Sequence, residues 1–265
     1  DKYFLNNKHL ALACASHQGA YAHTNIVQEW LSAIDRSDND LRCGIQFPND
    51  NCAHETLMKE NKRPCQYHNN CSGKHTGFLT LSKYLNGDQE YNCLEHPVQQ
   101  AIKSCFEDLT NTSNALSVMD GCSAPNFACT LNGLAQSMAI ISEATEISSS
   151  SRTRAAYRLL HAMLEYPGLI AGDGRACTEL MLAMDKRVAI KTGAEAVFVA
   201  IIPELKLGIA LKIEDGNMRA SEAVIAELLV RYNILDRKHP MAIKRLKGPI
   251  INWNGFKTGE YKICF

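Results

Sequence analysis

The chain has 265 residues, and its 28 lysines and arginines balance its 28 aspartates and glutamates, so its formal net charge at pH 7 is zero. This balance excludes the strongly basic surface of a protein that binds nucleic acid or anionic membranes, and it favours a small neutral or zwitterionic partner. No apolar run approaches the ~18 residues that a transmembrane helix needs, and no signal peptide opens the chain. We therefore expect a soluble, cytoplasmic protein with no membrane and no nucleic-acid partner.

Cysteine is frequent in this chain. Its eleven cysteines are odd in number, scattered, and include no Cys-x-x-Cys pair. A chain of this length buries a large core and does not need a disulfide scaffold. We predict that most of the cysteines are reduced thiols, several of them buried.

The first half of the chain predicts mainly helices. Apolar residues at helical spacing favour helices over residues 24–34 and near residues 51–61. A further helix begins near Gly73, where Phe78, Leu81 and Leu85 share one face. Another begins at His96-Pro97, because proline suits the first helical position.

The second half predicts strands among helices. A short strand over residues 115–119 leads into a turn at residues 120–126, and the serine tract at residues 148–151 reads as a loop or cap between helices 131–144 and 152–164. A helix over residues 176–184 precedes a strand at 188–190, a hairpin of segments 195–202 and 207–214, and a helix over 219–234. These elements predict an α+β (mixed α/β) fold, in which an antiparallel sheet with helical cover packs against a helical region.

One segment concentrates reactive side chains at a predicted helix start. It reads Asn69-Asn70-Cys71-Ser72-Gly73-Lys74-His75. The unpaired N–H groups and the positive end of a helix dipole favour a thiolate or an oxyanion there. Asparagine and serine before an apolar run are also ordinary capping residues. The pattern alone leaves both interpretations open.

Serine and lysine form the first possible catalytic constellation, because a lysine with a lowered pKa can act as the base for a serine nucleophile. The candidates are Ser16, Ser72, Lys74 and Lys191. Lys191-Thr192-Gly193 stands at the start of the predicted hairpin, as Lys-Thr-Gly does in penicillin-recognising enzymes. The tripeptide recurs at residues 257–259, where we predict no comparable strand and read the copy as chance.

Metal binding is a competing use of the same cluster. Cys71 and Lys74 lie three residues apart on one helical face, and Cys122 sits at a turn from which it could approach them. Two thiolates suit zinc, but the paired ligands of the usual zinc patterns are absent. Asp120 reads either as the binding group for a substrate ammonium or as a turn residue. The histidines that flank these segments read as hydrogen-bonded structural residues: His17, His68, His75 and His96.

A set of ordered motifs goes beyond these local patterns. The chain resembles the asparaginase II family, the class 3 type of L-asparaginase, over nearly its whole length. The motifs that carry the resemblance are Ala13-Cys14-Ala15-Ser16-His17-Gln18-Gly19, the segment at residues 69–75, His96-Pro97-Val98-Gln99, Asp120-Gly121-Cys122-Ser123, Gly174-Arg175 and Lys191-Thr192-Gly193-Ala194-Glu195.

The resemblance implies a homodimer with a fold like that of serine β-lactamases and glutaminases, built as a single catalytic unit or two subdomains over residues 1–265. It implies hydrolysis of L-asparagine to L-aspartate and ammonia by serine/lysine acyl transfer beside a zinc ion. The residues that match the family's motifs then have expected roles: Ser16 and Lys191 as catalytic pair, Asp120 and His75 in substrate binding, and Cys71, Lys74 and Cys122 as zinc ligands.

One motif of the family is missing. Its members carry a Ser-x-x-Lys that supplies a nucleophile and its lysine ahead of the segment that holds Ser16, and the fifteen residues before Ser16 contain none. We expect that a segment of the natural protein precedes Asp1. The alternatives are a catalytically silent zinc-binding or amino-acid-sensing relative, an amidase for glutamine or a β-lactam, and a thiol redox protein that uses Cys71 and Cys122.

Overall fold

The computed structural model describes residues 2–264. Helices dominate, in this order: α1 Asn7–Ala13, α2 Tyr21–Ala33, α3 Asn51–Lys59, α4 Ser72–Leu85, α5 Pro97–Thr110, α6 Leu131–Ser142, α7 Ser151–Glu165, α8 Pro167–Ile170, α9 Ala176–Ala183, α10 Met218–Arg231 and α11 Pro240–Leu246. The strands are β1 Ser117–Met119, β2 Pro125–Phe127, β3 Ala189–Thr192, β4 Val197–Ile202, β5 Leu207–Lys212, β6 Pro249–Ile251 and β7 Lys257–Glu260. The predicted α+β class is therefore confirmed.

The main sheet has three antiparallel strands in the order β3-β4-β5. Its register pairs Lys191 of β3 with Val199 of β4. Helix α6 covers β5 closely, because a Cβ built at Gly208 would collide with the α6 backbone at Ala135 and Ala139. Only a residue without a side chain permits this approach. β1 pairs with β2, and β6 with β7, in two separate antiparallel ribbons.

The helix starts follow local capping chemistry. His96 Nδ1 accepts a hydrogen bond from Val98 N at 3.1 Å, ahead of Pro97 at the first position of α5. Ser150, from the serine tract, caps α7 by accepting from Thr153 N at 3.3 Å. These caps satisfy N–H groups that a helix leaves unpaired at its first turn. The serine tract is thus a loop with a cap, as predicted.

Two hydrophobic clusters form the interior. The larger one surrounds the three-stranded sheet and includes Phe198, Ile190 and Leu180. The smaller one lies among α1, α2 and α4 and is centred on Trp30. Helix α1 lies between the two, since Ala11 belongs to the first cluster and Leu12 to the second. The segment that follows α1 therefore runs where the two clusters meet.

The last part of the chain departs from the sequence-based expectation. Residues 257–259, interpreted as a chance copy without a strand, lie in β7 and pair with β6. The turn between these strands is built by Asn252, whose Oδ1 accepts from Asn254 N and Phe256 N, and by Gly255 with a positive φ. The prediction was wrong because this ribbon is exposed and has no apolar run to signal its strands.

Candidate active site

The segment around Ser16 is held on both sides by backbone hydrogen bonds. Ser16 N donates to Ile170 O at 3.0 Å, and Gln18 N donates to Ala171 O at 3.0 Å. Between them, His17 N points the other way and donates to Asn70 O at 3.1 Å. The segment therefore joins the loop before α4 to the loop after α8, like a short central strand.

Ser16 and Lys191 meet across this junction. Lys191 Nζ lies 2.7 Å from Ser16 Oγ, although the two residues are 175 positions apart in sequence. Lys191 also bonds the carbonyl oxygen of Thr192, so its amine is fixed at the end of β3. The structure thus brings together the two residues predicted as the catalytic pair.

The surroundings of Lys191 disfavour its charged form. Burial lowers the pKa of Lys191 below its ordinary value, and the nearby Cys177 and Cys71 thiols oppose this only in part. One side of the residue lines an apolar cavity of about 370 Å³ between α6 and α7, together with Met138, Leu160 and Met163. An apolar wall stabilises a neutral amine relative to an ammonium ion. A neutral lysine is the form that can accept a proton from serine.

Ser72, the other serine at the cluster, has a structural role. His17 Nδ1 accepts from Gly19 N at 3.1 Å, so the ring proton sits on Nε2, which donates to Ser72 Oγ at 3.0 Å. Ser72 Oγ in turn donates to Tyr67 O at 2.9 Å. Both Ser72 and His17 are fully buried. Because the Ser72 proton is already bonded to a carbonyl, this hydroxyl is not available as a nucleophile.

Cys71 occupies the N-cap position of α4 without a side-chain capping bond, so the cluster is more than an ordinary cap. Its thiol lies beside the β1–β2 turn, which carries Asp120 and Cys122. The ligand atoms of these three residues all lie within 4.8 Å of one another. Cys122 Sγ lies 2.9 Å from Asp120 Oδ2. The helix start and the turn thus place two thiols and a carboxylate around one point.

The two thiols share one proton. The pKa of Cys71 falls to about 7 because Cys122 hydrogen-bonds to its sulfur and Lys74 adds positive charge, although burial opposes this. The pKa of Cys122 rises to about 12 because of the same bond and of burial. Their first proton therefore leaves near neutral pH, and the second is held until a further cation compensates it.

Lys74 supplies the positive charge at this cluster. Its Nζ lies 3.2 Å from Cys122 Sγ and 3.9 Å from Asp120 Oδ2. Burial alone would lower the pKa of Lys74, but the thiols of Cys71 and Cys122 outweigh burial and raise it. Without a metal, Lys74 is therefore an ammonium ion paired with thiolate. It could become a ligand only by losing its proton to a bound cation.

His75, predicted to bind substrate, lies beneath the cluster and is fully buried. Tyr91 OH accepts from Arg42 N at 2.6 Å, so its own proton goes to His75 Nδ1 at 2.8 Å. The remaining His75 N–H, on Nε2, has no partner, and Cys122 acts on this ring. The orphaned N–H is therefore free to donate to a thiolate. Tyr91 was not predicted, because it stands in a polar loop with no distinguishing pattern.

The donor set fits a zinc ion. Two thiols of which one ionises near neutral pH are the ligands that zinc prefers, and a carboxylate or amine completes such sites. An orphaned N–H aimed at a sulfur is the kind of outer contact that orients metal ligands. The group formed by Cys71, Asp120 and Cys122 can hold a metal ion. Sequence reasoning had assigned Asp120 to substrate and not to this group.

Comparison with known proteins decides the family. The sequence model of one family, described as L-asparaginase II, matches residues 1–263. The chain belongs to the L-asparaginase II family. This membership supports an asparaginase-type amidohydrolase in general. A search of curated proteins gave no match. Within residues 2–264, no helix combines the length and apolar character needed to cross a bilayer.

Proposed function

We propose that this L-asparaginase II family member hydrolyses the side-chain amide of L-asparagine to L-aspartate and ammonia, with Ser16 as nucleophile and Lys191 as its base. The observation that carries the proposal is the 2.7 Å contact between Lys191 Nζ and Ser16 Oγ. It gains weight because burial lowers the pKa of this lysine. A buried amine bonded to a serine hydroxyl is the arrangement that serine/lysine acyl transfer requires.

The reaction divides into two transfers of the acyl group. Neutral Lys191 takes the proton of the Ser16 hydroxyl while Oγ attacks the amide carbon, and the resulting ammonium gives that proton to the leaving ammonia. The product of this half is a β-aspartyl ester on Ser16. Lys191 then takes a proton from water, which attacks the ester and releases aspartate. The proton returns to Ser16 Oγ and restores the starting state.

Asp120 offers the charge that recognises the amino group of the substrate. Burial alone would raise the pKa of Asp120, but the bond from Cys122 and the charge of Lys74 lower it, so the carboxylate is ionised. The side chain keeps 32% of its surface exposed. An ionised, accessible carboxylate pairs with an ammonium group through charge-assisted hydrogen bonds.

We propose zinc as the metal of the cluster, held by Cys71 and Cys122 with Lys74 as third ligand, or with Asp120 in that place. When bound, zinc would supply Lewis-acid stabilisation of negative charge. Metal analysis of the purified protein should find stoichiometric zinc that is lost in Cys71→Ser and Cys122→Ser. The exposed Cys93 provides the matched control, Cys93→Ser, which should keep its zinc. A Cys71–Cys122 disulfide in freshly prepared, zinc-free protein would instead favour the redox alternative.

Ammonia release tests the proposed activity. The wild-type protein should release ammonia from L-asparagine, and Ser16→Ala should lower kcat/KM by roughly 10²- to 10⁴-fold, the range for losing a positioned catalytic group. Ser32→Ala, in an exposed position of α2, should leave the rate unchanged. Hydroxylamine should trap the β-aspartyl ester of the wild type as a hydroxamate. Full activity of Ser16→Ala would eliminate Ser16 as the nucleophile.

Parallel assays separate the alternatives. Faster ammonia release from L-glutamine would identify a glutaminase, and turnover of a β-lactam would identify a third amide class. Binding of L-asparagine in a calorimeter without ammonia release would identify a sensing relative. The homodimer and the cytoplasmic location implied by the resemblance stay predictions, which light scattering of the purified protein and fractionation of cells would test.

A further inference from the structure

Arg175 is a cation without a partner beside the proposed active site. It is half-buried at the N-cap of α9, where its side chain makes no capping bond. Within residues 2–264, its guanidinium has neither a hydrogen-bond partner nor an ion pair. A guanidinium carries five N–H donors in a rigid fork that matches a carboxylate. A partly desolvated guanidinium left unbonded is therefore suited to a ligand.

The backbone places Arg175 next to the Ser16–Lys191 pair. The loop between α8 and α9 is bonded to the segment around Ser16 through Ile170 O and Ala171 O. At the first turn of α9, Cys177 Sγ accepts from Thr192 N at 3.3 Å, directly after Lys191. The charges of Arg175 and Lys191 both act on that thiol. Arg175 therefore flanks the pair on the side away from the Cys71–Asp120–Cys122 group.

The other cations around the site are engaged. Lys74 faces Cys122 and Asp120. The Arg42 guanidinium bonds Glu90 at 2.7 and 3.1 Å. Lys191 must be neutral in the proposed reaction. Asparagine has an α-carboxylate that requires a counter-charge, and these assignments leave Arg175.

Glu222 does not neutralise Arg175 by contact. The two residues interact only at a distance, since no pair within 4.0 Å joins them, whereas Arg245 Nε approaches Glu222 Oε2 to 3.7 Å. Arg245 also pairs with Glu179, so this group of charges is complete without Arg175. The guanidinium of Arg175 is thus not committed to the packing of α9 against α10 and α11.

We propose that Arg175 binds the α-carboxylate of the substrate and so selects amides that carry a carboxylate beside the reacting amide. The inference rests on the proposed function for the identity of that substrate. It assigns Arg175 to substrate recognition and leaves the proton transfers to Ser16 and Lys191. A bidentate arginine–carboxylate contact fixes orientation as well as affinity.

The test compares L-asparagine with 3-aminopropanamide, which is asparagine without its carboxylate. Arg175→Gln should lower kcat/KM for L-asparagine by roughly 10- to 150-fold, the range for a hydrogen bond to a charged group, mainly through KM. The slow turnover of 3-aminopropanamide should change by less than about twofold. Arg175→Lys should recover part of the loss. Arg187→Gln, in an exposed pair at the opposite end of β3, should behave like the wild type.

Two kinetic results would overturn the inference. One is an Arg175→Gln variant within about twofold of the wild type on L-asparagine, and the other is an equal loss on both substrates, which is what a structural role produces. If Arg175→Gln does not fold, Arg175→Lys takes its place, and a KM unchanged from the wild type then counts against the inference.

The proposed function can fail separately. If the wild type releases no ammonia, calorimetric titration with L-aspartate decides the question. Weaker binding to Arg175→Gln than to the wild type would support the inference without any turnover. Equal affinity of the two proteins, or no binding to the wild type, would overturn it.

Discussion

Replacing Lys191 tests whether the proposed site depends on a neutral amine. Lys191→Met keeps an unbranched side chain of similar length in β3 but removes the group bonded to Ser16 Oγ. We expect kcat/KM for L-asparagine to fall by roughly 10²- to 10⁴-fold, the usual contribution of a general base. At 1.36 kcal/mol per factor of ten, this equals about 2.7–5.4 kcal/mol of transition-state stabilisation.

The same substitution should leave the fold intact. It leaves Ser16 Oγ without its lysine partner, which reduces the free energy of unfolding by about 1 kcal/mol. It also removes a lysine whose charged form is disfavoured by burial, and this change acts in the opposite direction. Urea unfolding should therefore give a midpoint close to that of the wild type. Lys212→Met, on an exposed position of β5 in the same sheet, is the matched control for both activity and stability.

Lys191→Arg separates proton transfer from simple positive charge. Arginine keeps the charge but does not deprotonate in proteins, so we expect it to be as inactive as Lys191→Met. In the wild type, kcat/KM should rise tenfold per pH unit while Lys191 is protonated. It should level off below pH 10.5, because burial lowers the pKa of Lys191 from that ordinary value. Substantial activity of Lys191→Arg, or a flat pH profile, would refute the assignment of Lys191 as base.

Two further predictions concern stability. Gly73→Ala should reduce the free energy of unfolding by about 1–3 kcal/mol, because its Cβ would lie 2.5 Å from Leu12 O of α1. Gly77→Ala in the same helix has no neighbour closer than 3.7 Å and should instead stabilise by about 0.5–1 kcal/mol; equal urea midpoints for the two variants would contradict the packing of α4 on α1. Burial lowers the pKa of His17 well below 6.5, so below pH 6.5 the unfolded chain takes up a proton that the native state refuses. The free energy of unfolding should then fall on acidification by up to about 1.4 kcal/mol per pH unit from this residue, and a slope unchanged in His17→Gln would contradict the buried neutral ring.

The sequence predicts the helices and the main sheet because their signals are local. Apolar periodicity and capping residues mark α4, α5 and α7, and the hairpin of β4 and β5 follows from two apolar segments around a proline turn. The pairing of Ser16 with Lys191 has no such signal, since contacts 175 positions apart leave no trace in local spacing. It entered only through the resemblance of ordered motifs to a family.

What the sequence could not indicate depends on side-chain geometry. The different roles of Ser16 and Ser72 follow from which proton each hydroxyl shares, and that depends on the ring orientation of His17. Asp120 joins the thiol group because the β1–β2 turn folds back onto the start of α4. Arg175 gains interest only once its lack of a partner is visible, and an arginine before a helix has no such meaning in sequence.

The segment of residues 16–18 runs between the two hydrophobic clusters, and its three amides bond alternately to one side and the other. Lys191 belongs to the sheet side, whereas Cys71 belongs to the helical side. Any slippage between the two clusters would therefore separate the proposed nucleophile from either its base or the metal-binding group before a helix or strand is lost. Catalytic competence would then report on the joint between the two halves of the interior and not on the integrity of either half alone.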